Sequence, residues 1–273
     1  MSVSAVTRRS ESTAPGPRIG QQSVRDVSRR DDTARQTTLR VLSYNILYGL
    51  RWDAVRELVQ ADPADIICLQ EVPAADHRWT RAVRPQRIID DLGLPNDCAM
   101  LWRKTQGRVG NMTLVRGGRI EPGRVLHVPP SQPYGMVNRV TVGGVGLVVA
   151  NVHFAEMLGP PLLSFPFSEV FRLREACHLT RTLRRARVPV IAAGDFNTFW
   201  PAPATWPLRW HWRDCRRAVG GLGRATRPTY GLPFIIDNIL VRGDADILDY
   251  EVIDGPGSDH RAIAATVRVV KSE

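Results

Sequence analysis

Short stretches of this sequence end an apolar run on acids, amides or histidines. SYN stops at Asn45, LQE at Glu71, NVH at His153, GDFN at Asp195 and Asn197, and ID at Asp237, while SDH sets Asp259 beside His260. Each run reads as a strand bound for the interior, where an unpaired carboxylate costs free energy. Singly these residues have structural explanations: Asn45 fits a turn, Glu71 a surface acid, and His153 a core histidine with its hydrogen bonds satisfied. Together Glu71, Asp195, Asp237 and Asp259, with Asn45, Asn197, His153 and His260, form the inventory of a hard-cation and acid/base site. Oxygen ligands without cysteine point to Mg²⁺, with Mn²⁺ as a substitute, and to the chemistry of phosphate esters.

The elements that must position these groups alternate. From Leu39, LRVLSYNIL is a β-rich run. RWDAVRELVQAD then carries Trp52, Val55, Leu58 and Val59 at helical spacing, and PADIICLQEV is a second buried strand. A helix is expected over about 83–92, then short β-like runs up to NVHF. SEVFRLREACHLTRTLRRAR predicts a long helix with Ser168 at its N-cap, Val170, Leu173, Cys177 and Leu183 on the buried face, and arginines in solvent. VPVIAAGDFN, FIIDNILVRG and ATVRVV follow as strands. Helical crossovers mixed with hairpin-like links predict an α/β fold: two packed sheets, helices outside, and loops gathered at a common edge.

At 273 residues and 43% hydrophobic content, the chain can bury a sizeable core, and no apolar run is long enough for a membrane span. Residues 1–38 are too polar to offset the entropy of ordering them and are expected to be a disordered tail before a catalytic domain at 39–273. Neither arginine pair in the tail precedes an apolar stretch, so a cytoplasmic location is expected. Cys68, Cys98, Cys177 and Cys215 lack the spacing of a zinc site and read as reduced thiols. The formal charge is +10, of which the tail, with seven Arg against four acids, supplies +3. Only Lys104 and Lys271 are lysines, so the charge reflects arginine usage as readily as an anion-binding face.

SYNIL, LQEV, NVHF, AGDFNT, IDNILV and SDH, in this order, resemble the endonuclease/exonuclease/phosphatase superfamily from about Leu39 to Val270. The resemblance implies a four-layered α/β sandwich, two packed mixed β-sheets flanked by helices. It also implies roles. Glu71 and Asn45 would hold Mg²⁺, with Asp259 on the metal or its waters. Asp195 would orient and deprotonate the attacking water, and Asn197 would hold a phosphate oxygen. His260, supported by Asp237, would act on the scissile phosphate, and His153 would donate to a non-bridging oxygen. Asn111 and Arg139 are further candidates for phosphate contact.

The leading expectation is a monomeric phosphodiesterase acting on nucleic acid. A phospholipid or inositol phosphate hydrolase is the alternative, and an inert binding module a remote one. The loop 199–213, with Trp200, Trp206, Trp210, Trp212, Arg209 and Arg213, could stack on bases, meet a membrane, or pack as a satellite core.

Overall fold

The computed structural model describes residues 36–74, 81–92, 98–106, 109–156, 161–199, 202–220, 224–229 and 232–270. The expected tail lies outside them apart from its last residues. Strand β1 (Gln36–Asn45) opens at Gln36 rather than Leu39, because its first residues join through the backbone, Gln36 opposite Val270 and Thr37 opposite Val269, instead of through buried side chains.

One six-stranded sheet orders β13 (Ala245–Ile253), β14 (Ala262–Val270), β1, β2 (Ile66–Pro73), β4 (Val109–Arg116) and β3 (Cys98–Gln106). The other orders β5 (Gly118–Leu126), β6 (Gly135–Val142), β7 (Val145–His153), β8 (Val190–Asp195), β12 (Asp237–Arg242) and β9 (Arg213–Asp214). A separate hairpin pairs β10 (Arg227–Thr229) with β11 (Leu232–Phe234). Among the described residues each large sheet contains a single parallel pair, β1 with β2 and β7 with β8. A parallel pair needs a crossover, supplied by α1 (Trp52–Ala61) in the first case and α3 (Pro161–Leu183) in the second. Both members therefore end at the same edge.

Side-chain alternation then builds four layers. Leu39, Val41, Ile66, Cys68, Val149, Ile191, Ala193 and Ile239 meet between the sheets. Leu42, Ile67 and Leu69 point the other way, onto Trp52, Val55 and Val59 of α1. Val148, Ala150 and Ala192 cover the far side with Ala176, Leu179 and Leu183 of α3. The inner face changes character toward one edge: Leu39 and Val41 lead to Ser43 and Asn45, Ile66 and Cys68 to Gln70, Val149 to Asn151 and His153, and Ala193 to Asp195. The polar strand ends thus continue the core. Cys68 and Cys215 are buried, and burial pushes both thiols up to about 12, so they pack as inert groups.

The long helix departs from its expected orientation. Val170 is exposed and Leu173 and Cys177 are only half-buried, whereas Glu169, Arg172, Glu175, Ala176, Leu179 and Leu183 are buried. Charged residues occupy the inward stripe because they bind backbone: Arg172 Nε donates to the Ala155 carbonyl at 2.8 Å and Ala155 N–H donates to Glu175 at 2.9 Å. The tryptophan-rich loop divides. Trp212 packs with Leu208 in the core beside α3, while Trp206 and Trp210, on the short helix α4 (Thr205–His211), are exposed and Trp200 lies outside the described residues.

Candidate active site

Strand register brings the polar ends together. Asn45 lies opposite Gln70 on β2, and Asp195 lies between His153 on β7 and Asp237 on β12. Gln70 and Glu71 are neighbours, so in a regular strand their side chains would point to opposite faces, yet both are buried. The β2–β4 register shifts between Leu69 and Val72, and Glu71 takes a left-handed backbone with φ 56°. This bulge turns the carboxylate inward, a strained conformation for a long side chain. Asn197 is also left-handed, φ 49°, but asparagine tolerates that region, and its N–H donates to Asp195 Oδ1 at 2.8 Å in a local turn. Gly194 is needed as glycine: a Cβ there would collide with the Val152 carbonyl on the paired strand.

At the polar edge the Asn45 amide joins the two sheets. Asn45 Nδ2 donates to Glu71 Oε1 at 2.9 Å and to Asp195 Oδ2 at 3.2 Å. Beneath it runs a buried layer in which Gln70 Nε2 donates to Asn151 Oδ1 at 2.9 Å and Asn151 Nδ2 donates to the Met112 carbonyl at 2.9 Å. Burial raises the Glu71 carboxyl to about 7 against the opposing Asn45 hydrogen bond. Asp195 is raised as well, by burial and then by the charge of Asp237. His153 is lowered to about 4 by burial, so it is neutral at pH 7.

His260 is the opposite case. Burial alone would lower it, but the facing carboxylates of Asp237 and Asp195 outweigh this and hold the imidazole at about 9. Its Nδ1 lies 2.9 Å from Asp237 Oδ2, and its Nε2 lies 3.7 Å from Asp195 Oδ2. Among the described residues two groups of ligand-type atoms converge within 4.8 Å: Glu71, His153 and Glu156, and Asp195, Asp237 and His260. The second already contains a cation, the imidazolium. The first holds two acids beside a neutral imidazole, and its nearest positive end is the amide of Asn45. That donor set fits a divalent cation, which Glu71 and the adjoining Asn45 would hold.

Residues 42–260 match the family model described as the Endonuclease/Exonuclease/phosphatase family. The chain belongs to this family. Among solved structures the fold is similar to D. rerio TDP2 humanized by 14 mutations, with 17% identity, TM-score 0.67, and coverage of 84% of this chain and 98% of that one. It is similar to the human Nocturnin catalytic domain with bound sulfate anion, at 16% identity and TM-score 0.65, covering 88% and 98%. An endonuclease/exonuclease/phosphatase from Bacteroides vulgatus gives 18%, TM-score 0.63, and 85% and 98%. At these identities the structures show the shared fold. No curated protein matches the chain in sequence.

The geometry sorts the remaining residues expected at this endonuclease/exonuclease/phosphatase site. Asp259 is turned toward Arg227, whose Nη2 donates to its Oδ2 at 2.9 Å, and it belongs to neither convergent group. Asn111 is fully buried and its amide is used within the inter-sheet layer, donating to the Asn151 carbonyl at 2.9 Å and accepting from Thr105 at 3.1 Å. It supports Asn151 rather than facing a phosphate. Arg139 lies exposed on β6 opposite Val148, and His153 is further along that neighbouring strand by about 16 Å at roughly 3.3 Å per residue. The register therefore carries it away from the site.

Two residues that the motifs did not point to are present instead. Glu156 Oε1 approaches His153 Nε2 at 3.7 Å, just past the strand end. Arg227, at the start of β10, has a buried Nε without a hydrogen-bond partner and interacts electrostatically with Asp195 and Glu71 as well as Asp259. Thr226 fixes this hairpin, its hydroxyl accepting from the N–H groups of Ile236 and Asp237 at 3.0 and 3.1 Å.

Proposed function

We propose that this chain is a divalent-metal-dependent phosphodiesterase with nuclease-like activity, hydrolysing its substrate by in-line attack of water at phosphorus. The observation that carries this reading is the single amide of Asn45 joining Glu71 and Asp195 across the two sheets, with the Asp237–His260 pair next to Asp195. Glu71 and Asn45 would hold Mg²⁺, which when bound neutralises charge on the phosphoryl oxygens.

Asp195 accepts the proton of the attacking water, and its raised affinity for a proton suits it to that task. His260 stands 3.7 Å from Asp195, too close to serve the opposite, leaving-group side of an in-line displacement. Its positive charge instead stabilises the non-bridging oxygens, as a fixed charge in a dry site does. Asn197 is tethered by its Nδ2 to the Phe154 carbonyl at 3.1 Å and keeps a second N–H for a phosphate oxygen. Arg227 adds a guanidinium that can approach a substrate phosphate in bidentate fashion.

A polyanionic substrate accords with the positive folded domain, with Arg227 at the site, and with the family's description. The relative with bound sulfate, Nocturnin, holds a tetrahedral oxyanion of the same shape as a phosphate. The experiment is hydrolysis of bis-p-nitrophenyl phosphate, DNA and RNA with Mg²⁺ or Mn²⁺ at two salt concentrations. Cleavage abolished by EDTA, and weakening from about 50 to 200 mM salt on nucleic acid, is expected. Turnover that survives chelation would overturn the metal role. Turnover confined to phospholipid vesicles or inositol phosphates would favour the second reading, which draws on the exposed Trp206 and Trp210.

A further inference from the structure

The four most exposed large hydrophobic side chains among the described residues are Trp210 at 85%, Phe167 at 74%, Val170 at 57% and Trp206 at 55%. All lie on α3 or α4. The next, Leu248, is 43% exposed and sits on β13, within the range expected of single surface residues.

The two helices are neighbours and run in the same direction. Just before α4, the Ala204 N–H donates to Glu169 of α3 at 3.4 Å, and just after it, Trp212 Nε1 donates to Thr180 of α3 at 3.1 Å. Trp206 and Trp210 are one turn apart on one face of α4, and Phe167 and Val170 one turn apart on α3. Two adjacent helices thus each present an exposed apolar pair.

The exposed charges of the segment that carries these side chains have one sign. Arg174, Arg181, Arg184, Arg185, Arg209 and Arg213 are exposed, while the acids between 161 and 213, Glu169, Glu175 and Asp195, are all buried. Exposed Trp and Phe on a segment whose exposed charges are all arginine match the boundary of an anionic bilayer, where aromatic rings sit at headgroup level and each nearby cation adds attraction. A base-stacking platform for single-stranded nucleic acid fits less well: the helices are convex, and Val170 offers no ring to stack on.

We infer that the α3–α4 face docks on an anionic lipid surface, with Trp206, Trp210 and Phe167 entering the headgroup region. The face borders the active site through Glu169, whose carboxylate accepts from both Thr198 and Ala204, so docking would bring the site to the membrane surface. This inference does not depend on the hydrolase reading, because it can be tested with the site disabled by EDTA.

The test is cosedimentation of the full chain, in EDTA, with vesicles of phosphatidylglycerol and phosphatidylcholine or of phosphatidylcholine alone. Binding to the anionic vesicles is expected to exceed that to the neutral ones by tenfold or more and to weaken with salt, with brominated lipid quenching tryptophan fluorescence. Trp206→Ser with Trp210→Ser should lower the partition by tenfold or more and remove most of the quenching, leaving thermal stability and turnover of bis-p-nitrophenyl phosphate unchanged. Three results would overturn the inference. They are no binding above buffer, equal binding by the double variant (attraction by charge alone), and a tryptophan response to single-stranded DNA with none to vesicles, which would mark a nucleic-acid platform.

Discussion

His260 and Asp195 face each other at 3.7 Å, one from the loop before β14 and the other from the end of β8, so that an imidazolium and a carboxylate reach the same point from opposite sheets. Their neighbours set them apart: Asp237 keeps His260 charged, while Asn45 ties Asp195 to Glu71.

That arrangement separates two kinds of loss. Glu71→Gln removes the acid proposed to hold the cation and should raise the Mg²⁺ concentration needed for half-maximal activity tenfold or more, with high Mg²⁺ restoring part of it. His260→Ala should lower turnover by about 10²-fold or more, the scale at which a charge-stabilising group is missed, with Mg²⁺ binding by calorimetry nearly intact. Equal loss of metal binding in both variants would mean that the histidine has been given the wrong role.

The Asp237–His260 pair predicts a shift in pH dependence. His260 is raised to about 9 from an ordinary 6.5, so its contribution to stability is complete below about 6.5 and is lost as pH rises through about 9. Asp237→Asn removes the strongest charge that raises it. The alkaline limb of kcat/KM should then move from near 9 down toward 6.5, with less stability at neutral pH. An unmoved limb would show that His260 does not titrate in that range.

For Glu71 the sign is the same, but the cause is burial rather than a charged partner. The unfolded carboxyl ionises near 4.5, but in the metal-free fold burial keeps the proton until about 7. Protonated Glu71 therefore favours the fold at low pH, and that advantage is lost as pH rises through about 7. A cation binding there must displace the proton, so apparent Mg²⁺ affinity should rise by up to tenfold per pH unit below about 7 and then level off. The measurement is the Mg²⁺-induced increase in Tm, small near pH 5 and full near pH 8. An increase independent of pH would place the cation away from Glu71.

How much of this was legible in the sequence depends on which residues follow a periodic face. The strand ends did, because Asn45, His153 and Asp195 continue the period-two inner face of their strands, and the family motifs overlie them. The inward turn of Glu71 depends on a bulge, which only the pairing with β4 reveals. The α3 stripe defies an apolar-face reading because its buried positions hold Glu169, Arg172 and Glu175, which combine an ion pair along the helix with hydrogen bonds to Ala155, Thr198 and Ala204, distant in sequence. Arg139 is close to NVH along the chain, but antiparallel register sets it opposite Val148, five residues back from His153. Arg227 sits in a short hairpin after the glycine-rich stretch VGGLGRAT, which has no period to read.

The buried charges of α3 predict a structural cost that reaches the site. Arg172 is 2% exposed, donating to Glu169 at 2.9 Å and to the Ala155 carbonyl next to the end of β7. Arg172→Ala leaves Glu169 buried without its partner, a loss of about 3–5 kcal/mol. Because Glu169 also holds Thr198 and Ala204 beyond Asn197, turnover should fall too. Replacing both Arg172 and Glu169 by Met should recover part of the stability by chemical denaturation. A single variant as stable as the parent would show the bracket to be inert.

Arg227 offers the sharpest link between the site and the substrate. Its guanidinium holds Asp259 at 2.9 Å, so Arg227→Ala could act through the substrate or through a displaced Asp259, and a comparison with Asp259→Asn separates the two. If Arg227 contacts a nucleic-acid phosphate, its removal eliminates one released counterion, and the slope of log kcat/KM against log salt should become shallower by about 0.7–0.9. Arg227→Lys, which keeps the charge, should retain that slope while losing bidentate geometry and part of the rate. Asp259→Asn frees the guanidinium and should leave the slope as steep as in the parent. A slope unchanged in Arg227→Ala, with activity lost equally in Asp259→Asn, would assign Arg227 to holding Asp259 and remove it from substrate recognition.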